Sequence, residues 1–349
     1  MKKTLLYIFI CISLILNGCE GNTIKEYNND AQTNFDALWE ILDEKYCYFT
    51  AKELDWIGVY NEYQPRLKYC KNVYSLFNLM AEMLDTLQDG HVNLYSAFDI
   101  SRCKGWYEDY PEDYYSHIVY SDKYVKNDPK IAGGFKYSFI DNKEIGYIQY
   151  SSFSNGFSSA NLGYMDYYFR NAKGIIIDVR GNGGGQLDYS ERLASCFFKE
   201  KTITGYMKHK TGKGHNDFSE PMPIYTDPAE APIDWSDRIV VVLSNRKCYS
   251  ATNDFIVRVK HAPNVTVIGG ITGGGGGMPL SQELPIGWMI RFSAVPMFDS
   301  NMNHTEFGVE PDIEVHITEE DVQNNIDAII DKAIEYIYAT YNTDSINRI

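Results

Sequence analysis

A serine stands where a predicted strand gives way to a predicted helix, in the stretch CYSATNDF at residues 248–255. Ser250 follows a run of β-branched residues, and the helical pattern begins at Ala251. At such a junction the first N–H groups of the helix are free and its dipole favours negative charge, so an oxyanion beside Ser250 would be stabilised. Ser250 is a candidate nucleophile, and on this stretch alone an ordinary helix N-cap is the competing interpretation.

A glycine run, DVRGNGGG at 178–185, occupies the same kind of junction. Glycines let backbone N–H groups approach a ligand where side chains would crowd it. A phosphate site is the alternative, but the pattern GxGxxG is not met as such and the Lys-Ser/Thr of a P-loop is missing. Oxyanion support is the favoured role. A second run, Gly273 to Gly277, is interpreted as the lining of a substrate groove or its mobile rim, or else as a bare flexible turn.

The segments that hold these residues alternate between strands and helices. Strands are predicted at 145–153, 173–181, 238–245 and 265–270, and helices at 158–170, 187–198 and 251–260. Strands that are apolar on both faces are typical of a parallel sheet covered by helices on both sides. Ser250 then lies at the carboxyl end of a strand, where open α/β sheets bind their ligands.

Segments with helical periodicity precede this core and lie near its C-terminal end. Apolar residues at three- and four-residue spacing from Thr33 to about Leu87 predict an N-terminal helical domain at 33–98, followed by a loop-rich connection at 99–140. The catalytic core is assigned to 141–349. Near its end, Thr318 is predicted to cap a helix with Asp321 three residues on. The buried face of that helix is expected to consist of Ile326, Ile329, Ile330, Ala333 and Ile337.

The N-terminus has the pattern of an export signal. Lys2 and Lys3 precede an apolar stretch that is too short for a permanent membrane span, and the stretch ends in Leu-Asn-Gly-Cys, which resembles a bacterial lipobox. The prediction is a lipoprotein signal peptide at 1–18, lipidation of Cys19 and a polar tether at 19–32. An ordinary cleaved signal is the alternative. We expect a lipid-anchored protein of the bacterial cell envelope, facing the periplasm or the cell exterior.

Charge and cysteine usage exclude several classes of function. A formal net charge of −15 removes the phosphate attraction on which nucleic-acid binding rests. The cysteines include no CxxC pair or Cys/His cluster with metal spacing, so no metal or cofactor is expected. Beyond Cys11 and Cys19, buried free thiols are favoured over a disulfide between Cys47 and Cys70. The free thiols would be Cys47, Cys70, Cys103, Cys196 and Cys248.

Four stretches occur in an order that resembles a family of serine peptidases. These stretches are IGYIQYSSF, GIIIDVRGNGGG, VVVLSNRKCYSATNDF and FGVEPDIEV, and the similarity covers roughly residues 33–340. The family contains the C-terminal-processing proteases and the tricorn-type core proteases. It implies a ClpP/crotonase-like parallel β/α core preceded by a small helical domain, with Ser250 as the nucleophile. It also implies oxyanion N–H groups on Ala251 and on Gly184, with Gly183 the next match.

The resemblance separates two kinds of catalytic base. Processing proteases pair the serine with a downstream lysine, whereas ITGGGGGMP at 271–279 contains none, and Lys260 is expected to point away from Ser250. The tricorn-like branch uses a histidine, and QDGHVNLY supplies His91 as the base. Glu306 is the carboxylate candidate before Gly-Val-Glu-Pro-Asp. Thr305 holds the position at which relatives often carry the glutamate, and His304 is a further candidate for the relay.

The resemblance predicts a serine endopeptidase that acts on peptide or protein substrates through an acyl-enzyme. Only about 50 residues separate His91 from Ile145, which leaves no room for the PDZ domain that many processing proteases carry there. The alternative is a catalytically inactive peptide- or ligand-binding lipoprotein on the same scaffold. A lipase or esterase is disfavoured because no G-x-S-x-G surrounds Ser250.

Overall fold

Strands that are apolar on both faces form the centre of the molecule, as their composition predicts. The computed structural model describes residues 30–126, 128–229 and 233–347, so Cys19 and the predicted signal lie outside the described residues. The central strands are β4 (Ile145–Tyr150), β5 (Gly174–Asp178), β8 (Val240–Ser244) and β9 (Val265–Gly269), and they are parallel neighbours. The full seven-stranded order is β12-β9-β8-β5-β4-β3-β2, which confirms the mixed α/β class. Its two edge strands are β12 (Ile313–Glu314) and β2 (Lys130–Ala132), and β3 (Phe135–Ile140) lies between β2 and β4.

Helices cover both faces of this sheet because its side chains alternate between two cores. In β5, Ile175 and Ile177 face one hydrophobic cluster, whereas Ile176 faces the other. The first cluster packs against α6 (Ser159–Tyr168), α7 (Leu187–Ala194, extended by a 3₁₀ turn at Ser195–Phe197) and α8 (Ala251–Val259). The second packs against α5 (Ser116–Val119) and α10 (Ala328–Asn347). The loops between strand ends and these helices therefore carry Ser250 and the first glycine run.

The N-terminal helices share a core with a second sheet that the sequence did not predict. They are α1 (Ala31–Lys45), α2 (Trp56–Tyr63), a 3₁₀ helix (Gln64–Tyr69) and α3 (Val73–Asp85). Their apolar faces pack on Ile290 and Phe292 of the second sheet. That sheet has the order β1-β11-β6-β7, with β10 also paired to β11. Its strands are β1 (Asn93–Tyr95), β6 (Thr202–Met207), β7 (Met222–Thr226), β10 (Gly277–Glu283) and β11 (Met289–Phe298).

Three local predictions need correction. The segment 99–140 holds α4 (Gly105–Glu108), α5 and strands of the central sheet, so that sheet begins before residue 141. Thr318 does form a capping box with Asp321, but the helix it starts, α9 (Glu319–Gln323), is short. Asn325 then adopts a φ of +53°, which interrupts the helix, and the predicted apolar face from Ile329 onward belongs to α10.

The cysteines and the helices bear on two further expectations. Cys47, Cys70, Cys103, Cys196 and Cys248 are all free, as predicted, and Cys70 alone among them is not fully buried. No helix within the described ranges has both the length and the apolar character needed to cross a bilayer.

Candidate active site

Ser250 adopts a backbone conformation that side-chain-bearing residues rarely occupy. Its φ is +57° and its ψ is −120°, and its N–H donates to the Gly274 carbonyl at 2.8 Å. Although Ser250 occupies the N-cap position of α8, its side chain makes no capping hydrogen bond. Its Oγ lies 3.0 Å from Nε2 of His91, a residue 159 positions away in sequence. The hydroxyl therefore contacts His91 and does not cap the helix, which argues against the N-cap interpretation.

His91 is positioned by the turn that follows α3. Its backbone N–H donates to Asp89 Oδ1 at 2.7 Å, and its ring packs 4.9 Å from the ring of Tyr249. Trp106 in turn stacks on Tyr249 at 4.2 Å. A Cβ on Gly90 would lie 2.6 Å from the Trp106 indole nitrogen, so only glycine fits between Asp89 and His91. The sequence did not indicate this aromatic stack.

Burial keeps the imidazole neutral. His91 is 3% exposed, and desolvation lowers its pKa to about 4, with the positive charges of Arg291 and Lys52 acting in the same direction. The charge of Asp89 and the Gly277 carbonyl oppose this shift. Nδ1 has no hydrogen-bond partner among the described residues. A neutral ring 3.0 Å from a hydroxyl can accept its proton at pH 7.

Asp89 is a buried carboxylate that sequence reasoning missed. Besides the His91 N–H, it accepts hydrogen bonds from the Tyr46 hydroxyl at 3.1 Å and the Ser293 hydroxyl at 2.8 Å. Burial alone would raise the pKa of Asp89, but the charge of Lys52 and these donors outweigh it and lower the pKa. Asp89 is therefore a fixed negative charge beside the histidine. The available signal was its position two residues before His91.

Glu306 lies in a 3₁₀ helix (Thr305–Phe307) and pairs with a lysine. Lys52 Nζ is 2.8 Å from Glu306 Oε1, while Oε2 has no hydrogen-bond partner among the described residues. Desolvation and the charge of Asp89 raise the pKa of Glu306 to about 8. Burial would lower the pKa of Lys52, but the two carboxylates reverse that effect and raise it. One ammonium thus serves two carboxylates, and the structure records no hydrogen bond between Glu306 and His91.

The two other relay candidates are engaged elsewhere. The Thr305 hydroxyl donates to the Met297 carbonyl at 3.2 Å. His304 packs its ring 4.5 Å from that of Phe298, and burial lowers its pKa. Lys260 contacts Asp312 at 2.5 Å and the Glu310 carbonyl at 2.9 Å, so it points away from Ser250 as predicted.

The first glycine run lies directly against Ser250. A Cβ on Gly184 would come within 2.9 Å of both Ser250 Cβ and the Ala251 nitrogen, and its φ of +99° also requires glycine. The Gly184 N–H donates to the Asn182 side chain at 3.0 Å. The N–H of Gly183 makes no hydrogen bond within the described chain, and that of Ala251, the first residue of α8, has no intrahelical acceptor.

Buried polar side chains hold this loop in shape. Asn182 donates to the Tyr150 carbonyl at 2.8 Å, and Arg180 forms fully buried ion pairs with Asp178 at 2.7 Å and with Asp327 at 2.9 Å. No role was predicted for these residues from the sequence. Their position in the sequence was the available signal. Polar residues that directly follow a strand apolar on both faces are buried at its end and must find hydrogen-bond or ion-pair partners there.

A cavity of about 380 Å³ opens beside Ser250. Gly275, Gly276 and Gly277 line it, so the second glycine run lines a groove rather than forming a bare turn. Its backbone is packed too closely for side chains, since a Cβ on Gly275 would lie 2.5 Å from the Tyr249 ring. Apolar and charged side chains complete the walls. They include Leu187, Met278, Val295, Asp188 and Arg291.

Known proteins share this arrangement of segments. The model of peptidase family S41 matches residues 144–315, and that of the tricorn protease C1 domain matches residues 27–85. A candidate peptidase from Parabacteroides merdae ATCC 43184 with a solved crystal structure is 49% identical, with a TM-score of 0.84 over 89% of this chain and 97% of its own. The chain belongs to peptidase family S41. The resemblance of the four motifs is thereby confirmed, together with the serine-type peptidase class.

Two more distant proteins show how far the likeness extends. The carboxy-terminal processing protease CtpA of Bacillus subtilis is 24% identical over 52% of this chain and 37% of CtpA. The chain thus spans little more than a third of the length of this curated relative. Mature CPAF in its complex with lactacystin is 13% identical, with a TM-score of 0.67 over 92% of this chain and 99% of CPAF, and shares the fold.

Proposed function

We propose that this S41 member is a serine endopeptidase that cleaves peptide or protein substrates through an acyl-enzyme on Ser250. The observation that carries the proposal is the 3.0 Å contact between Ser250 Oγ and Nε2 of a buried, neutral His91. His91 takes the hydroxyl proton as Oγ attacks the scissile carbonyl, and then gives that proton to the leaving amine. Water activated by the same nitrogen hydrolyses the ester and restores the serine.

The oxyanion of each tetrahedral intermediate is bound by backbone donors. The Ala251 N–H is one, and the other comes from the first glycine run, from Gly184 or Gly183. Gly184 is the closer to Ser250, whereas Gly183 has the N–H without an acceptor. Use of Gly184 requires its N–H to leave the Asn182 side chain or to share its hydrogen between two acceptors.

Glu306 is proposed as the third member of the relay, a positioning residue that acts on His91 without touching the substrate. The support is that Glu306 Oε2 and His91 Nδ1 are both buried and without a hydrogen-bond partner among the described residues. Because the pKa of Glu306 is raised to about 8, its negative charge develops fully only in alkaline solution. At neutral pH Asp89 supplies the steady charge beside the imidazole.

The cell envelope is the proposed location, with the mature protein anchored through lipid on Cys19. The support is the sequence pattern before Cys19, a stretch outside the described residues. Labelled fatty acid should be incorporated into the wild-type protein and not into Cys19→Ala. Unlabelled wild-type protein would point to an ordinary secreted form.

The alternative, a catalytically inactive binding protein, is disfavoured because Ser250, His91 and the backbone donors lie together in a reactive arrangement. Labelling with a serine-directed fluorophosphonate tests both functions. We expect covalent modification of Ser250, mapped by mass spectrometry, and its loss in Ser250→Ala and His91→Ala. Lys260→Ala is the matched control and should label at the wild-type rate. A folded wild-type protein that remains unlabelled would overturn the peptidase proposal.

A further inference from the structure

The cavity beside Ser250 holds an arginine that no carboxylate of the described chain neutralises. The charged side chains in its lining are Asp188, Asp254, Arg258 and Arg291. Asp254 and Arg258 pair with each other at 2.9 Å. Arg291 forms no ion pair within the described residues, and its polar contact there is from Nη1 to Asn93 Oδ1 at 3.2 Å. A guanidinium has five N–H donors in a planar fork, so most of those of Arg291 remain available to a ligand.

Strand pairing places Arg291 on the histidine side of the cavity. Arg291 of β11 is the register partner of Asn93 of β1, and His91 lies two residues before Asn93. The charge of Arg291 also contributes to the lowered pKa of His91. In the proposed reaction His91 protonates the leaving amine, so the leaving fragment of the substrate must lie on this side of Ser250.

We propose that Arg291 is a specificity-determining residue that binds a carboxylate of the substrate on the leaving-group side of the scissile bond. This inference rests on the proposed peptidase function. Two parts of a peptide can supply the group: an acidic side chain, or the main-chain carboxylate of a C-terminus close to the cut. Asp188 has no cationic partner among the described residues and lies in the first turn of α7, next to the glycine run. Its charge disfavours a carboxylate at that wall, which leaves Arg291 as the complementary position.

Binding to Ser250→Ala measures this preference without requiring catalysis. The probes are fluorescent peptides of one neutral sequence, each with a single Gln→Glu change, offered both as free acid and as C-terminal amide. A hydrogen-bonded charge pair should tighten binding by about 10- to 100-fold at one Glu position or with the free acid. Tighter binding at one Glu position identifies an acidic side chain as the ligand. Tighter binding of the free acid than of the amide identifies the C-terminal carboxylate.

Arg291→Gln in the same background should abolish that gain, whereas Arg170→Gln, a change of an exposed arginine outside the cavity, should preserve it. Equal binding of all probes, or a gain that survives Arg291→Gln, would overturn the proposal. In the wild-type background, complete loss of Ser250 labelling in Arg291→Gln would show a structural role instead and would overturn the proposal. Because binding is read on an inactive variant, failure of the peptidase proposal would appear separately, as absent Ser250 labelling.

Cleavage by the wild-type protein tests the placement of the arginine. The preferred carboxylate should lie on the C-terminal side of the cut, with kcat/KM at least about tenfold above that of the neutral peptide. A preference on the N-terminal side would refute the leaving-group assignment.

Discussion

Two buried carboxylates, Asp89 beside His91 and Glu306 paired with Lys52, come from different regions of the molecule and have different electrostatics. Asp89, in the turn after α3, is saturated by three hydrogen-bond donors, and its pKa is lowered. Glu306, after β11, has one oxygen without a partner among the described residues, and its pKa is raised to about 8. Both share Lys52, so a single ammonium cannot fully stabilise two charges. The charge of Lys52 and the hydrogen-bond donors outweigh burial at Asp89 and lower its pKa, whereas burial and the charge of Asp89 prevail at Glu306 and raise its pKa.

This difference assigns the two carboxylates distinct roles. A charge that is always present can stabilise the imidazolium formed when Ser250 attacks, whereas a carboxyl that titrates near pH 8 makes its contribution depend on pH. Substitution of each carboxylate by its amide should therefore give different pH dependences.

Asp89→Asn should have the largest effect. The amide oxygen can replace Oδ2 and accept from Tyr46 and Ser293, but the N–H₂ then faces the backbone N–H of His91, so two buried donors oppose each other. Loss of the charge also leaves Lys52 and the imidazolium less stabilised. We expect the free energy of unfolding to fall by about 3 kcal/mol and the Ser250 labelling rate to fall by about 10- to 100-fold.

Ser293→Ala is the matched control for this change, because it removes one donor to Asp89 and keeps the charge. Ser293→Ala should lower the free energy of unfolding, measured by chemical denaturation, by about 1 kcal/mol. It should slow Ser250 labelling by less than about threefold. Equal labelling losses in the two variants would mean that Asp89 acts through its hydrogen bonds and not through its charge.

The acid limb of the pH–rate profile tests the protonation state of His91. With the pKa of His91 lowered to about 4, roughly nine-tenths of the rings are neutral at pH 5, compared with about 3% for an ordinary histidine. The labelling rate at pH 5 should therefore stay within about twofold of its value at pH 7. A roughly 20- to 30-fold fall between these pH values would show that the ring titrates as an exposed histidine does.

Much of this arrangement could be predicted from the sequence. The doubly apolar strands identified the parallel sheet, and short motifs at strand ends identified Ser250 and both glycine runs. His91 followed from the family resemblance rather than from its own surroundings. In each case local sequence carries the signal, because strand ends and helix starts are defined by neighbours in the chain.

The residues that were missed depend on long-range packing. Asp89 meets Ser293 across 204 positions, and Lys52 reaches Glu306 from the helical region. Strands β10 and β11 were overlooked because they contain glycine, proline and half-exposed positions that weaken a period-two pattern. Pairings of this kind become visible only once the second sheet brings the N-terminal helices against the core.

Glu306→Gln should have the smallest effect at neutral pH and a distinctive dependence on pH. Glutamine resembles the protonated acid that predominates below pH 8, so kcat/KM at pH 6 should change by less than about threefold. At pH 9, where the wild-type carboxyl is ionised, the variant should be about tenfold slower.

Stability provides an independent readout of the same titration. The pKa of Glu306 is higher in the folded state, so the folded protein retains a proton that the unfolded chain releases above pH 4.5. Wild-type stability must therefore decline as pH rises from about 4.5 to 8, by at most about 1.4 kcal/mol per pH unit, relative to Glu306→Gln. Glu310→Gln, an exposed change four residues away, should follow the wild type. If the difference between wild type and Glu306→Gln stayed constant across this range, Glu306 would be ionised throughout, and the contrast with Asp89 would disappear.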